Sequence, residues 1–344
     1  MLPFPLARQQ TCGLLAAVVQ CVDKSWIFHV SLNQLSGTLP SEFGAWRYLS
    51  FFHAQYNNLS GSLPPAYCAW MSLDWLDVRD NQLTGTLPPQ YSSWSALTIF
   101  SAGSNSLRGT LPPTYKNWSA LTSFDLSTNN LTGSLPFEYS SLVSLSMFDV
   151  SSNNLSGTIP VQYAAWKNIV NVRLDSNSLS GTLPNSLFGG WTFVVDINMR
   201  MNRIIGTIPP ALLARPALQK LYLGHNMFAG TMPSTIAMSV VLLDLQNNSG
   251  LVGTLPFRLM LVTVCGTGVC STASLPLQYC LPPNAAELTL TQVAPYATTC
   301  TPSNEPPQST ATPSAINSTA GNTSSSQQSL ARGTRSIGAA VAFA

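Results

Sequence analysis

Apolar positions recur along this chain with a period of about 24 residues, and Leu121-Thr-Ser-Phe-Asp-Leu-Ser-Thr-Asn129-Asn-Leu-Thr-Gly-Ser-Leu-Pro136 shows one unit. Leu121, Phe124 and Leu126 stand eight, five and three positions before Asn129, and Leu131 and Leu135 follow it. The apolar–polar–apolar step through Phe124 and Leu126 predicts a short strand with side chains on alternate faces. The closing Gly-x-Leu-Pro predicts a turn: proline cannot continue a ladder, and glycine tolerates a backbone that other residues avoid. The closing glycine recurs ten times, at Gly37, Gly61, Gly85, Gly109, Gly133, Gly157, Gly181, Gly206, Gly230 and Gly253. Its asparagine partners are Asn33, Asn57, Asn81, Asn105, Asn129, Asn153, Asn177, Asn202, Asn226 and Asn248. A period this strict predicts a solenoid of ten stacked coils. Parallel strands about 4.8 Å apart would then cover roughly 45–50 Å. The asparagine is expected to turn inward and bond backbone groups of its own and the next coil, because a buried amide needs partners.

A second column follows the prolines. Phe43/Trp46, Tyr67/Trp70, Tyr91/Trp94, Tyr115/Trp118 and Tyr163/Trp166 stand three and six residues beyond them, with Tyr139/Leu142 a partial exception. An aromatic ligand platform and a stacked core spine are the two readings. Leu212 and Ile236 occupy the same slots later in the chain, which favours the spine.

The unit is the leucine-rich-repeat pattern, and its Gly-x-Leu/Ile-Pro ending resembles the plant-type 24-residue subclass. That resemblance implies a right-handed α/β-type superhelix, with a parallel sheet on the concave face and irregular or 3-10 structure on the convex side. Segments such as Thr86-Leu-Pro-Pro-Gln-Tyr-Ser-Ser-Trp-Ser-Ala-Leu97 resemble the promastigote surface antigen family of kinetoplastid protozoa. The likeness covers about residues 25–335. It implies cysteine-bearing caps and a Ser/Thr-rich stretch before a membrane anchor. Two departures stand out: the amino-terminal cap is short, and the anchor is absent or incomplete. Plant-type receptor ectodomains and secreted inhibitors of glycan-acting enzymes are the alternatives, and an intracellular repeat scaffold is a second one.

The chain accordingly divides into an amino-terminal cap or signal-like segment (1–24), ten repeats (25–262), a cysteine-bearing cap (263–300), a Ser/Thr/Pro-rich disordered stalk (301–335) and an apolar tail (336–344). Cys12 and Cys21 precede the repeats, and Cys265, Cys270, Cys280 and Cys300 follow them. These six are disulfide candidates, with zinc as a poorer reading because no paired C-x2-C spacing occurs. Cys68 alone lies within the repeats and reads as a buried free thiol. Seven N-x-[ST] sequons, at Asn58, Asn117, Asn130, Asn154, Asn247, Asn317 and Asn322, agree with an oxidising, extracellular compartment. The nine-residue tail is too short to span a bilayer, and Arg332 and Arg335 before it resemble the edge of a membrane anchor. The 344 residues carry a net charge of +2 and only 8% charged residues, which argues against nucleic acid as a partner.

Function is expected on the concave face, at strand positions the period does not dictate. The central column includes His29, His53, Asp77, Asp125, Asp149, Arg173 and Tyr222. Two residues later stand Arg79 and Arg200, and two earlier stand Ile27, Phe51, Trp75 and Ile99. An exposed apolar band beside histidines marks coils one to four as the candidate contact site for a protein or glycan, with charged neighbours adding specificity. Cover by the amino-terminal cap is the competing reading of that band. Asp125 and Asp149 are also explained by the repeat consensus. His29, His53 and Asp77 form a conceivable metal or acid–base cluster, but the surface is flat and lacks a water-excluding pocket. The expectation is a non-catalytic binder without cofactor or metal.

Overall fold

The computed structural model describes residues 19–22, 25–255 and 261–271. Two parallel sheets run the length of the repeats, with one strand of each contributed by almost every coil. The first is twelve-stranded. It begins with Val19–Val22, which pairs antiparallel with Ser25–His29. Every later strand is parallel, from Leu49–His53 through Trp75–Asp77 to Leu242–Asp244 and Leu261–Thr263. The repeats therefore continue one coil past residue 262: Leu261–Thr263 extends the first sheet, and Gly268–Ser271 extends the second.

The second sheet forms where each Leu-x-Gly-x segment aligns with the next. Ser36–Thr38, Asn58–Ser62 and Gln82–Thr84 pair in order. A bridge between Thr86 and Arg108 connects them to the eight strands running from Arg108–Thr110 to Gly268–Ser271. Gly133 shows why glycine recurs there. Its φ is +82°, and a Cβ would lie 2.8 Å from Cγ2 of Thr110 in the preceding coil.

Between the sheets each coil carries the apolar core. The aromatic column is its spine. Tyr67, Trp70, Tyr91, Trp94, Tyr115, Trp118 and Trp166 are fully buried. Within a coil, Tyr and Trp stack at about 3.9 Å between ring centroids, as in Tyr91–Trp94. Between coils they hydrogen-bond. The Tyr115 hydroxyl donates to the Pro88 carbonyl at 3.1 Å, and Trp118 Nε1 donates to Tyr91 O at 2.8 Å. The first coil has Phe43, which lacks a hydroxyl, at the tyrosine slot. Cys68 is free and half-buried rather than fully buried, since it sits on the outer side of a 3-10 turn, Pro65–Ala69.

The asparagine ladder links the coils, but towards the preceding coil rather than the next. Asn129 Nδ2 donates to Ala102 O of the previous coil at 3.0 Å and to Leu126 O and Ser127 O of its own at 3.2 Å. Its Oδ1 accepts from Leu107 N, also in the previous coil, at 2.9 Å. The residue before each asparagine takes a left-handed conformation whatever its type, from Leu32 (φ 56°) and Tyr56 (58°) to His225 (56°). That turn aims the amide inward and lets the backbone ladder continue, as in Tyr56 N to Arg79 O at 3.1 Å.

Candidate ligand-binding face

The outer face of the first sheet carries the columns expected to bind, and the structure sorts them by accessibility. Ile27, Phe51, Trp75 and Ile99 are half-buried and stand side by side, paired in register as Ile27–Phe51, Phe51–Trp75 and Trp75–Ile99. His29 is exposed. Its ring meets that of His53 at 5.4 Å, and His53 meets Trp75 edge-on at 4.5 Å. His29 Nε2 lies 2.5 Å from Ser31 Oγ. Burial, then the neighbouring His29 and Arg79, lower the His53 pKa to about 4, so its imidazole is neutral at physiological pH.

Three charged members of the columns and one tyrosine are buried rather than exposed. Asp77 is 0% exposed, Asp149 6%, Arg200 5% and Tyr222 8%. The cause is coil spacing: side chains on strands about 4.8 Å apart cover one another. Asp77 is paired to Arg79 Nη2 at 3.1 Å. Burial raises its carboxyl to about 6, against the opposing pull of Arg79. Asp149 is likewise raised to about 6 by burial, although Ser151 N and Oγ bond its Oδ1 at 2.9 and 2.6 Å. Asp125 is bonded in the same way by Ser127. Arg200 reaches over Gly224 to Asp244, with Nε 2.8 Å from Oδ2. A Cβ on Gly224 would stand 2.6 Å from that oxygen. Arg173 is half-buried.

Coils two and three hold a different feature. His53 Nε2, Gln55 Oε1, Trp75 Nε1 and Arg79 Nε are covered from solvent and make no hydrogen bond. An orphaned buried polar atom costs about 1–3 kcal/mol, so a cluster of four needs a reason. No composition or period signals it. It depends on which neighbouring side chains are too short or wrongly placed to bond.

Among the described residues no three His, Cys, Asp or Glu side chains converge to hold a metal ion. The sequons lie elsewhere. Asn58, Asn130 and Asn154 are exposed at the starts of second-sheet strands, Asn117 is exposed at the end of a 3-10 turn, and Asn247 is exposed just before Asn248. Asn317, Asn322, Cys12, Cys280, Cys300, the stalk and the tail lie outside the described residues.

Comparison with known proteins agrees with this architecture. A family model described as Leucine Rich Repeat matches residues 72–94 and 120–142. No curated protein matches the sequence. Among solved structures, the chain is similar to the plant peptide hormone receptor RGFR1 in complex with RGF2, at 27% identity and TM-score 0.65, covering 71% of this chain and 43% of the receptor. It is similar to a TDR receptor at 29% identity and TM-score 0.66, again over 71% and 43%. A plant ice-binding protein, 22% identical with TM-score 0.64 over 73% of this chain and 84% of its own, shares the fold. The chain thus spans less than half of either receptor chain. Repeats, paired parallel sheets and structural neighbours together make it a leucine-rich-repeat solenoid.

Proposed function

We propose that this chain is a non-catalytic, extracellular recognition protein that binds a protein or glycan through the open face of coils one to four. The observation that carries the reading is the apolar band Ile27–Phe51–Trp75–Ile99 lying beside unbonded polar atoms of His53, Gln55, Trp75 and Arg79. The similarity to a receptor solved with a peptide hormone supports ligand binding by this architecture. The exposed sequons on other faces support a glycosylated surface that leaves the first sheet free. Cysteines flanking the repeats, Cys21 before them and Cys265 and Cys270 after them, suit cysteine-linked caps in an oxidising compartment. Membership of the promastigote surface antigen family and attachment to a membrane fit the same picture.

The test is capture of surface proteins and glycans by the full chain compared with the Phe51→Ser/Trp75→Ser double variant. Both positions are half-buried at the surface, so the variant should keep its circular dichroism spectrum and lose capture. Capture unchanged in a folded double variant would sink the assignment.

A further inference from the structure

Four of the unmet polar atoms stand together in two neighbouring coils. Phe51 pairs with Trp75 and His53 with Asp77, so Gln55 and Arg79 stand side by side two residues on. At about 4.8 Å between strands and about 3.3 Å per residue, the footprint is roughly 5 Å by 13 Å, with its long axis along the strands. In coils five and six Asp125 and Asp149 already accept bonds from Ser127 and Ser151, and further on Arg200 is paired with Asp244. An extended peptide crossing many coils would meet satisfied groups over most of its length. A compact ligand would not.

The unmet set is also mixed. Trp75 Nε1 and Arg79 Nε are donors, Gln55 Oε1 is an acceptor, and His53 Nε2 is one or the other by tautomer. Hydroxyl groups donate and accept at once, so the hydroxyls spread around a pyranoside ring match this mixture. Charge is balanced locally, with Arg79 on Asp77, so a neutral ligand leaves no charge newly unpaired. Phe51 and Trp75, neighbours in register, offer aromatic surface to the C–H face of a sugar ring.

From this arrangement we infer that coils two and three form a sugar-binding site for a pyranoside, an assignment that rests on the open-face reading above and narrows its ligand class. Neighbouring side chains cover the four atoms, so a sugar reaches them after a rotamer step, and the affinity for one ring is weak, about millimolar.

The experiment is saturation-transfer NMR on the full chain with methyl glycosides of glucose, galactose, mannose and N-acetylglucosamine. At least one should receive transfer at its ring C–H protons. The signal should fall at least tenfold in Trp75→Leu and in Gln55→Ala, and persist in Lys220→Ala on coil nine, with all spectra of folded protein. Transfer to none of the four sugars, or transfer undiminished in both site variants, overturns the inference. If no sugar binds while the Phe51→Ser/Trp75→Ser variant still loses its captured partner, the open-face site stands and its ligand is a peptide. If capture is also unaffected, both readings fall.

Discussion

Replacing Asn129 by alanine tests whether the asparagine ladder is what joins one coil to the next. The side chain is 6% exposed and makes four contacts. The three carbonyls it serves keep other donors: Asn105 Nδ2 reaches Ala102 O, Asn153 Nδ2 reaches Leu126 O, and Ser104 N reaches Ser127 O. The Leu107 amide, by contrast, has Asn129 Oδ1 as its partner and loses it. One orphaned buried N–H costs about 1–3 kcal/mol, and each of the three replaceable bonds about 0.5–1.5 kcal/mol, for a total of about 2.5–7.5 kcal/mol. Asn33 is the internal control. It is exposed, and among the described residues its side chain bonds only Val30 O and Ser31 O of its own coil. Asn33→Ala should therefore cost less than about 1 kcal/mol. Urea unfolding followed by circular dichroism would give both values. Because a repeat array can open locally, hydrogen exchange at the Leu107 amide is the sharper readout. Equal losses in the two variants, or a Leu107 amide still protected in Asn129→Ala, would refute the reasoning.

Tyr115→Phe removes a buried bond to Pro88 O, which still accepts from Tyr91 N, so the loss should be only about 0.5–1.5 kcal/mol in urea unfolding. Asp149 has a folded pKa of about 6 against an ordinary value of 3.8, so the folded chain holds a proton that the unfolded chain releases between those values. Stability therefore falls as pH rises from about 4 to 6; Asp149→Asn should flatten that stretch and add about 1–3 kcal/mol at pH 7, and a less stable variant at pH 7 would contradict the burial argument. Arg200→Met strands the buried Asp244 carboxylate and should cost about 3–5 kcal/mol, with much of it recovered by adding Asp244→Leu; thermal melts of the single and double variants read both.

Most of the fold was legible in the sequence because a solenoid is decided by nearest neighbours. Once Leu121, Phe124, Leu126 and Asn129 repeat every 24 residues, each coil dictates the position of the next. The aromatic spine was legible for the same reason, since a column that changes to Leu212 without loss of period must be packing. The left-handed turn was not, because Leu32, Tyr56 and His225 share no chemistry; the following asparagine and the backbone ladder impose the conformation. The burial of Asp77 and Arg200 was missed because alternation along one strand says nothing of cover by the strands beside it. Gly224 was the available signal. A missing side chain in an otherwise filled column marks space that a neighbour takes, and Arg200 and Asp244 meet there.

The same logic explains why a binding site is hard to read from a repeat. Periodic positions satisfy themselves: asparagine meets backbone, tyrosine meets a proline carbonyl, and aspartate in coils five and six meets serine two residues on. A consensus residue thus carries a partner with it in every coil, and its presence says little about ligands. Specificity must come from where this self-satisfaction breaks. In coil three the slot after the column aspartate is Arg79 rather than serine, and the neighbouring slots hold Gln55, His53 and Trp75. Arg79 pairs with Asp77 through its amide and Nη2, but its Nε and the polar atoms of Gln55, His53 and Trp75 remain unmet. In these two coils a departure from the repeat coincides with four unmet hydrogen bonds, which is the physical ground on which recognition is proposed there.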